Sequence, residues 1–327
     1  MGSYSAPLSH CRSDGTGDFL LPTFNPASPQ AVEIQSLFFV MLAVAAVIMA
    51  IVAGLVAYIT VRFRARPDGG EPHQEFGRPR LEIAWTLASL AVVAALFLLT
   101  VRTMRATDPP PGARSPDVVV VGHQWWWEVR YPATGAVTAN EIHLPVGVRS
   151  LLRLESADVI HDLWVPRLGR KMDMIPGHPN YVWVQPRAAG TYLGACSEYC
   201  GAQHAWMRVR VVAQPEDEFD AWSRHQVAAP PAPAAGAAAA GARLFQDLTC
   251  PNCHAIAGTG AAARIGPDLT HLAERETLGA GVLDNTRANL SAWLADPQRI
   301  KPGSNMPNLR LSDAQVADLV AYMETLR

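Results

Sequence analysis

Cys196-Ser197-Glu198-Tyr199-Cys200-Gly201-Ala202-Gln203-His204-Ala205-Trp206-Met207 puts two cysteines, a histidine and a methionine within twelve residues. Thiolate and thioether are soft donors and imidazole is intermediate, a set that favours copper. A zinc site would use the cysteines and His204 but leave Met207 idle, because zinc is usually held by Cys, His or carboxylate. A Cys196–Cys200 disulfide would explain neither His204 nor Met207, and the spacing is not Cys-x-x-Cys. A second histidine has to come from elsewhere, and the candidates are His123, His143, His161 and His178. His161 ends the strand-like start of Val159-Ile160-His161-Asp162-Leu163-Trp164-Val165-Pro166, so it can project toward the cysteine loop.

Around this loop the text reads as β. Residues 118–121, 150–154, 181–184 and 207–212 are short runs rich in β-branched, Leu and aromatic residues, punctuated by Pro145-Val146-Gly147 and Pro176-Gly177. Several such strands in about 100 residues predict a small sandwich or barrel. Residues 215–224 read as an acidic, helix-like coda. Ala228-Ala229-Pro230-Pro231-Ala232-Pro233 and the Ala/Gly run to Gly241 then read as a semi-extended tether. The last 87 residues, 241–327, read as helical, with apolar positions at helical spacing over 242–248, 286–294 and 312–326. Ser312 with Gln315 three residues on has the form of a capping box.

Upstream, residues 34–61 contain no charge in 28 positions, and residues 83–101 none in 19. A span needs about 20 mostly apolar residues, so both qualify. The loop between them carries Arg62, Arg64, Arg66, Arg78 and Arg80, against Arg12 alone in the preceding tail. The positive-inside rule therefore predicts a cytoplasmic loop, with both chain ends outside. Glu82, directly before the second span, is placed as an interfacial acid or at the mouth of a proton path. The chain as a whole has 327 residues, 29 acidic against 27 basic side chains and a 49% hydrophobic fraction. Near-neutral charge without a basic cluster argues against nucleic acid as a partner. Cys11 is solitary, read either as a lipid-modified residue or as a free thiol in a flexible tail.

A second constellation is Cys250-Pro251-Asn252-Cys253-His254. Cys-x-x-Cys-His is the c-type haem attachment pattern, with the cysteines adding across the vinyl groups and His254 ligating the iron. The sixth ligand is expected downstream. Met306, in Ser304-Asn305-Met306-Pro307, stands before the last helix, whereas Met323 falls inside that helix pattern as core. Thioether with histidine raises the haem potential, which suits an electron carrier.

Together with Gly122-His123-Gln124-Trp125-Trp126-Trp127, Gly169-Arg170-Lys171-Met172-Asp173 and Pro176-Gly177, the copper loop and residues 159–166 resemble subunit 2 of the haem-copper cytochrome c oxidases over residues 30–220. The segments Gly266-Pro267-Asp268-Leu269 and Leu319-Val320-Ala321-Tyr322 extend a second resemblance, to class I cytochrome c domains, over residues 241–327. The resemblance implies a multidomain membrane protein of the caa type. Its parts would be an extracytoplasmic N-terminal tail (1–32), a two-helix transmembrane hairpin (33–105), a cupredoxin-like all-β barrel with the binuclear CuA centre (106–225), an Ala/Pro linker (226–240) and an all-α cytochrome c domain (241–327). It further implies that Cys196 and Cys200 bridge two coppers, that His161 and His204 each cap one, that Met207 is a weak ligand and that Glu198 lends its carbonyl. The Glu198 side chain would then reach a magnesium ion at the interface with subunit 1. Trp125 corresponds to the tryptophan through which the family takes electrons from cytochrome c. Glu82 corresponds to the acid at a proton-channel mouth, and Asp173 to an acid near the subunit interface.

The function so implied is that of an electron-transfer subunit of a proton-pumping oxidase. It would pass electrons from covalent haem c to CuA and on to subunit 1, where oxygen is reduced to water, in a multi-pass protein of the bacterial inner membrane. The other oxidase subunits, the membrane and an upstream donor such as cytochrome c would be its partners. A quinol oxidase subunit lacks the copper ligands that stand intact here. Nitrous-oxide reductase would need a large His-rich propeller, and this chain has ten histidines. A membrane-anchored copper and haem carrier or sensor outside any oxidase is the remaining alternative.

Overall fold

The computed structural model describes residues 21–64, 74–109 and 115–327, so Cys11 and Arg66 lie outside the described residues. The chain separates into two compact units, residues 32–108 and, as the second, residues up to 31 together with 109–327.

The unit of residues 32–108 carries helices α1 (Pro29–Arg62) and α2 (Pro79–Thr107). Their most apolar windows have mean hydropathies of 2.9 and 2.3, and none of that surface is buried within the chain. Helices apolar on every face and unburied need a lipid environment, and both are long enough to cross one. At the start of α2, Pro79 supplies a fixed helical φ, and the Glu82 carboxylate accepts the Arg78 backbone N–H at 3.1 Å.

The second unit begins with a cap. Ser28 Oγ accepts the Ala31 N–H at 3.1 Å, closing the first turn of α1, and donates to the Leu168 carbonyl at 2.7 Å. Gln30 reaches the Trp183 carbonyl at 2.8 Å, so residues 27–31 are packed on the β domain and do not form a free tail.

That domain is a sandwich of two five-stranded sheets. The first comprises β1 (Val118–His123), β2 (Trp126–Tyr131), β3 (Ala136–Ala139), β5 (Ser150–Ser156) and β8 (Asn180–Val184), in the order β3-β2-β1-β5-β8. The second comprises β4 (Glu141–Pro145), β6 (His161–Trp164), β7 (Met172–Met174), β9 (Gly190–Cys196) and β10 (Arg208–Gln214), in the order β4-β10-β9-β6-β7. The pairs β1/β5 and β4/β10 are parallel, and every other pairing within the two sheets is antiparallel. Alternating residues of both sheets fill the interior, where Trp127, Ile142, Leu144, Leu152, Leu154 and Met174 are fully buried. The copper loop follows β9 and ends at β10, so the central antiparallel pair of the second sheet fixes both of its ends.

Helix α3 (Glu216–His225) closes the sandwich, with Glu216, Asp217 and Glu218 in its first turn and Arg224 and His225 in its last, complementing the helix dipole. The stretch read as a tether is only partly one. Helix α4 (Gly236–Asp247) begins inside it, because alanine has the highest helix propensity and the run has a partner to pack on. That partner is α7 (Asp313–Met323), and a Cβ on Gly241 would lie 2.0 Å from the Asp318 carbonyl oxygen, so only glycine permits the crossing. The haem-type domain is completed by the short pair β11 (Thr277–Leu278) and β12 (Leu283–Asp284) and by α5 (Arg287–Ala295) and α6 (Pro297–Ile300). Ser312 and Gln315 form the reciprocal capping box at the start of α7.

One buried charge tests the sandwich. Burial raises the Glu128 carboxyl, but hydrogen bonds from His123 at 3.3 Å and a bidentate pair from Arg130 at 2.7 Å outweigh it and hold the pKa at about 2. Because the folded pKa lies below the ordinary value of 4.5, this stabilisation is complete above about pH 4.5 and is lost as pH falls toward 2. The effect amounts to about 3 kcal/mol at most. Glu128→Gln is expected to lower Tm at pH 7 and to flatten its decline between pH 4.5 and 2. An unchanged decline would assign the acid lability to other carboxylates.

Candidate functional site

Cys196 ends β9, and its backbone N–H bonds the Met207 carbonyl at 3.0 Å, pinching the loop shut where β10 begins. The pinch brings the sulfurs together. Cys196 Sγ stands 3.8 Å from Cys200 Sγ, which stands 3.8 Å from Met207 Sδ and 3.6 Å from His204 Nδ1. His161, fully buried at the start of β6, points Nδ1 at Cys196 Sγ from 3.9 Å. The Glu198 carbonyl lies 3.2 Å from Cys196 Sγ, while its side chain is exposed. The two cysteine sulfurs therefore lie side by side, with His161 and the Glu198 carbonyl beside Cys196 and His204 and Met207 beside Cys200.

His161 Nε2 meets Asp158 Oδ1 at 2.7 Å, and a carboxylate there fixes Nδ1 as the ring nitrogen offered to a metal. The hydrogen bond from Cys200, opposed by burial and joined by one involving His161, pulls the Cys196 thiol well below its ordinary value. Its partner Cys200 moves up as the donor of that bond, with burial adding to the rise. A poised thiolate beside a soft thioether and two imidazoles fits copper. His123, His143 and His178 lie elsewhere. His123 stacks on Trp126, His143 stacks on Trp222, and His178 is exposed.

In the last domain, Cys250, Cys253, His254, Met306 and Met323 line a cavity of about 380 Å³ whose walls are otherwise mostly apolar, among them Phe245, Leu290, Trp293 and Leu319. His254 Nδ1 lies 2.7 Å from the Pro267 carbonyl, which can only accept, so Nδ1 carries the proton and the lone pair of Nε2 would be the one to hold an iron. Desolvation lowers the ring's pKa, keeping it neutral and ready to ligate. A greasy cavity with paired thiols, a neutral imidazole and a thioether on its walls fits a haem.

The two sites share a wall. Trp125 and Gln124 line the haem-type cavity, and both donate to the Cys200 carbonyl, from Nε1 at 3.0 Å and Nε2 at 2.7 Å. Lys301, buried at the seam, donates from Nζ to the carbonyls of Trp125 (2.9 Å), Trp206 (3.0 Å) and Gly279 (2.8 Å). Burial pulls its pKa down to about 7, while each bond it makes as a cation contributes about 1.5–3 kcal/mol. Arg210 pairs with Glu276 at 2.5 Å, and the Glu276 N–H bonds Glu141 at 2.8 Å.

Sequence reading missed Asp158, Gln124 and Lys301. Asp158 was within reach, three residues before His161, but nothing local marks the other two. Glu82 sits in the other unit at the start of α2, and Asp173 lies in β7 opposite Asp162, which burial and the hydrogen bond with Asp173 push up.

Three family models cover most of the chain: the transmembrane domain of cytochrome c oxidase subunit II over residues 21–103, its periplasmic domain over 136–214, and cytochrome c over 238–327. Cytochrome c oxidase subunit 2 of Alkalihalophilus pseudofirmus is 35% identical over 95% of this chain and 92% of its own length. The Bacillus subtilis protein of the same name is 31% identical over 83% and 82%. The crystal structure of the periplasmic domain of subunit II of cytochrome oxidase from Bradyrhizobium japonicum matches 36% of this chain and 96% of that one at 28% identity, with a TM-score of 0.34. This chain belongs to the cytochrome c oxidase subunit 2 family, in the caa-type form that carries a cytochrome c domain behind the cupredoxin-like domain.

Gly122 sits against the copper-side histidine, and a Cβ there would lie 2.8 Å from His161 Cδ2. Gly122→Ala is expected to displace the boxed-in ring and to lower copper per chain in elemental analysis while leaving haem content unchanged. Full copper loading would show that the ring has slack.

Proposed function

We propose that this chain receives electrons at a covalent haem c and relays them through CuA to subunit 1 of a proton-pumping caa-type oxidase. The observation that carries this reading is the shared wall, with Trp125 lining the haem-type cavity while its indole donates to the carbonyl of Cys200. Cys250 and Cys253 would form the thioether links, with His254 and Met306 as axial ligands. Cys196 and Cys200 would bridge the two coppers, with His161, His204, Met207 and the Glu198 carbonyl completing the set. When bound, the haem supplies a one-electron donor and the copper pair an acceptor that spreads one electron over both metals.

The chain's own residues do the rest. The sandwich holds the ligands rigidly, so donor positions change little between oxidation states. Lys301 and the Arg210–Glu276 pair hold the haem domain on the copper domain, so relay need not await diffusion. In this reading, the family's tryptophan faces the chain's own cytochrome domain and not only an external donor. The exposed Glu198 side chain would face subunit 1 and help hold a magnesium ion there, and Glu82 would stand at a proton-channel mouth. The protein would span the bacterial inner membrane twice, with the copper and haem domains outside. Subunit 1 and the remaining oxidase subunits would be its partners, with a cytochrome as upstream donor.

Cys200→Ser is expected to abolish the electron paramagnetic resonance pattern of an electron shared over two coppers while leaving the haem spectrum intact; a variant that keeps the pattern would refute the bridging role. Met306→Ala is expected to lower the haem potential and to let the reduced protein bind carbon monoxide. Unchanged carbon monoxide binding would move the sixth ligand elsewhere, with Met323 next in line. Pulse-radiolysis rates for haem-to-copper transfer in Trp125→Phe, which keeps an aromatic ring but removes the Nε1 donor, should fall several-fold if the shared wall carries the electron.

A further inference from the structure

Away from both redox sites, three chain segments converge on His271. It precedes the short helical turn Leu272–Glu274 of the haem domain and is only 2% exposed. His225, in the last turn of α3, brings its ring within 4.8 Å of the His271 ring, and the Ala228 carbonyl comes from the linker. We propose that His225, His271 and Glu274 form a binding site for a divalent transition-metal ion of the zinc class, which clips the copper domain and the linker to the haem domain.

The tautomer of His271 leaves one ring nitrogen free for a metal. Its Nε2 lies 3.1 Å from the Ala228 carbonyl, which can only accept, so Nε2 carries the proton and the neutral ring presents a lone pair at Nδ1. That atom is buried and has no hydrogen-bond partner among the described residues. It faces Glu274 Oε2 from 3.9 Å, too far for a hydrogen bond and with both atoms offering lone pairs. Two acceptors facing each other, the histidine nitrogen buried and the carboxylate at the rim, call for a cation between them. Burial lowers the ring's pKa against the opposing pull of the Glu274 carboxylate, with His225 and Arg275 adding to the fall. The Arg275 guanidinium itself is turned to the Asp268 carbonyl.

The remaining ligand is already in place. His225 Nε2 is 2.9 Å from Glu274 Oε1, and one donor atom from each of the three residues lies within 4.8 Å of the others. Bonds of about 2.0–2.1 Å to one ion need donors about 3.4 Å apart, so an adjustment of up to about 1.4 Å suffices. His225, with its side chain 48% exposed at the end of a helix, can supply that movement. Gln226 Nε2 steadies the carboxylate from 3.3 Å. The Ala228 carbonyl on the far nitrogen of His271 is the outer-shell partner that metal-bound histidines ordinarily have. Two imidazoles and a carboxylate with an open, solvent-facing fourth position make a zinc-type donor set, whereas the sulfur-rich site suits copper.

The test uses the full chain in detergent with haem and copper loaded, so that zinc cannot enter the copper site. After chelator washing, it is titrated with Zn²⁺ in a calorimeter, and bound zinc is counted by atomic emission. One zinc per chain is expected, with zinc-edge absorption fine structure showing two imidazoles. His225→Ala and Glu274→Gln should each weaken binding by at least about tenfold with both redox spectra unchanged, while His178→Ala, at an exposed position outside the site, should bind like the parent. Bound zinc should also slow proteolysis of the linker between Val227 and Ala235. No zinc uptake by the parent, or equal uptake by His225→Ala, overturns the site; uptake that leaves proteolysis unaltered overturns the clip.

Discussion

The carbonyl oxygen of Cys200 accepts two hydrogen bonds, from Gln124 and from the Trp125 indole, and the rest of the functional architecture is arranged around that point. A loop with two adjacent buried sulfurs has few polar atoms with which to anchor itself, so its geometry is vulnerable wherever a carbonyl is left unpaired. The two donors meet that need from a neighbouring loop of the sandwich. The same residues face the haem-type cavity, so the contact that stabilises the copper loop also fixes its position relative to the other redox site.

Lys301 extends this logic across the domain seam. Burying an ammonium is costly unless its donors are all used, and here three carbonyls from three separate segments use them. One of those carbonyls, of Trp206, lies in the copper loop, that of Trp125 lies in the neighbouring loop bonded to it, and the third, of Gly279, belongs to the haem domain. A side chain that bonds both domains at once defines their docking more narrowly than apolar contact, because its hydrogen bonds are directional. The apolar part of the seam is small, Trp126 and Ala139 against Ala280, so polar contacts carry the register.

The linker shows where composition misleads. An Ala/Gly run after Pro230-Pro231 cannot build a core by itself, and as an isolated segment it would be extended or frayed. In the folded chain α7 offers a surface close enough to need glycine at position 241, and the alanines from Gly236 onward become the first helix of the haem domain. Tertiary packing therefore moves the domain boundary toward the N-terminus. The tether shortens to residues 226–235, the stretch whose Ala228 carbonyl pins His271.

The residues proposed as copper donors, Cys196, Glu198, Cys200, His204 and Met207, the haem pattern Cys250–His254 and the two apolar spans were legible in the sequence, because in each the chemistry is local. Neighbouring residues on one loop or turn must lie near each other in space, and an uncharged run of 28 residues is hydrophobic in any conformation. His161 was preferred among four candidate histidines, and the pairing of β6 with β9, which sets Leu163 opposite Cys196, brings its Nδ1 to 3.9 Å from the Cys196 sulfur. Lys301 at the seam and the convergence of His225 with His271 were decided by tertiary structure alone. Those residues act across separations of up to 176 positions, and proximity at that range comes from strand pairing and domain docking, which leave no periodic or compositional trace along the chain.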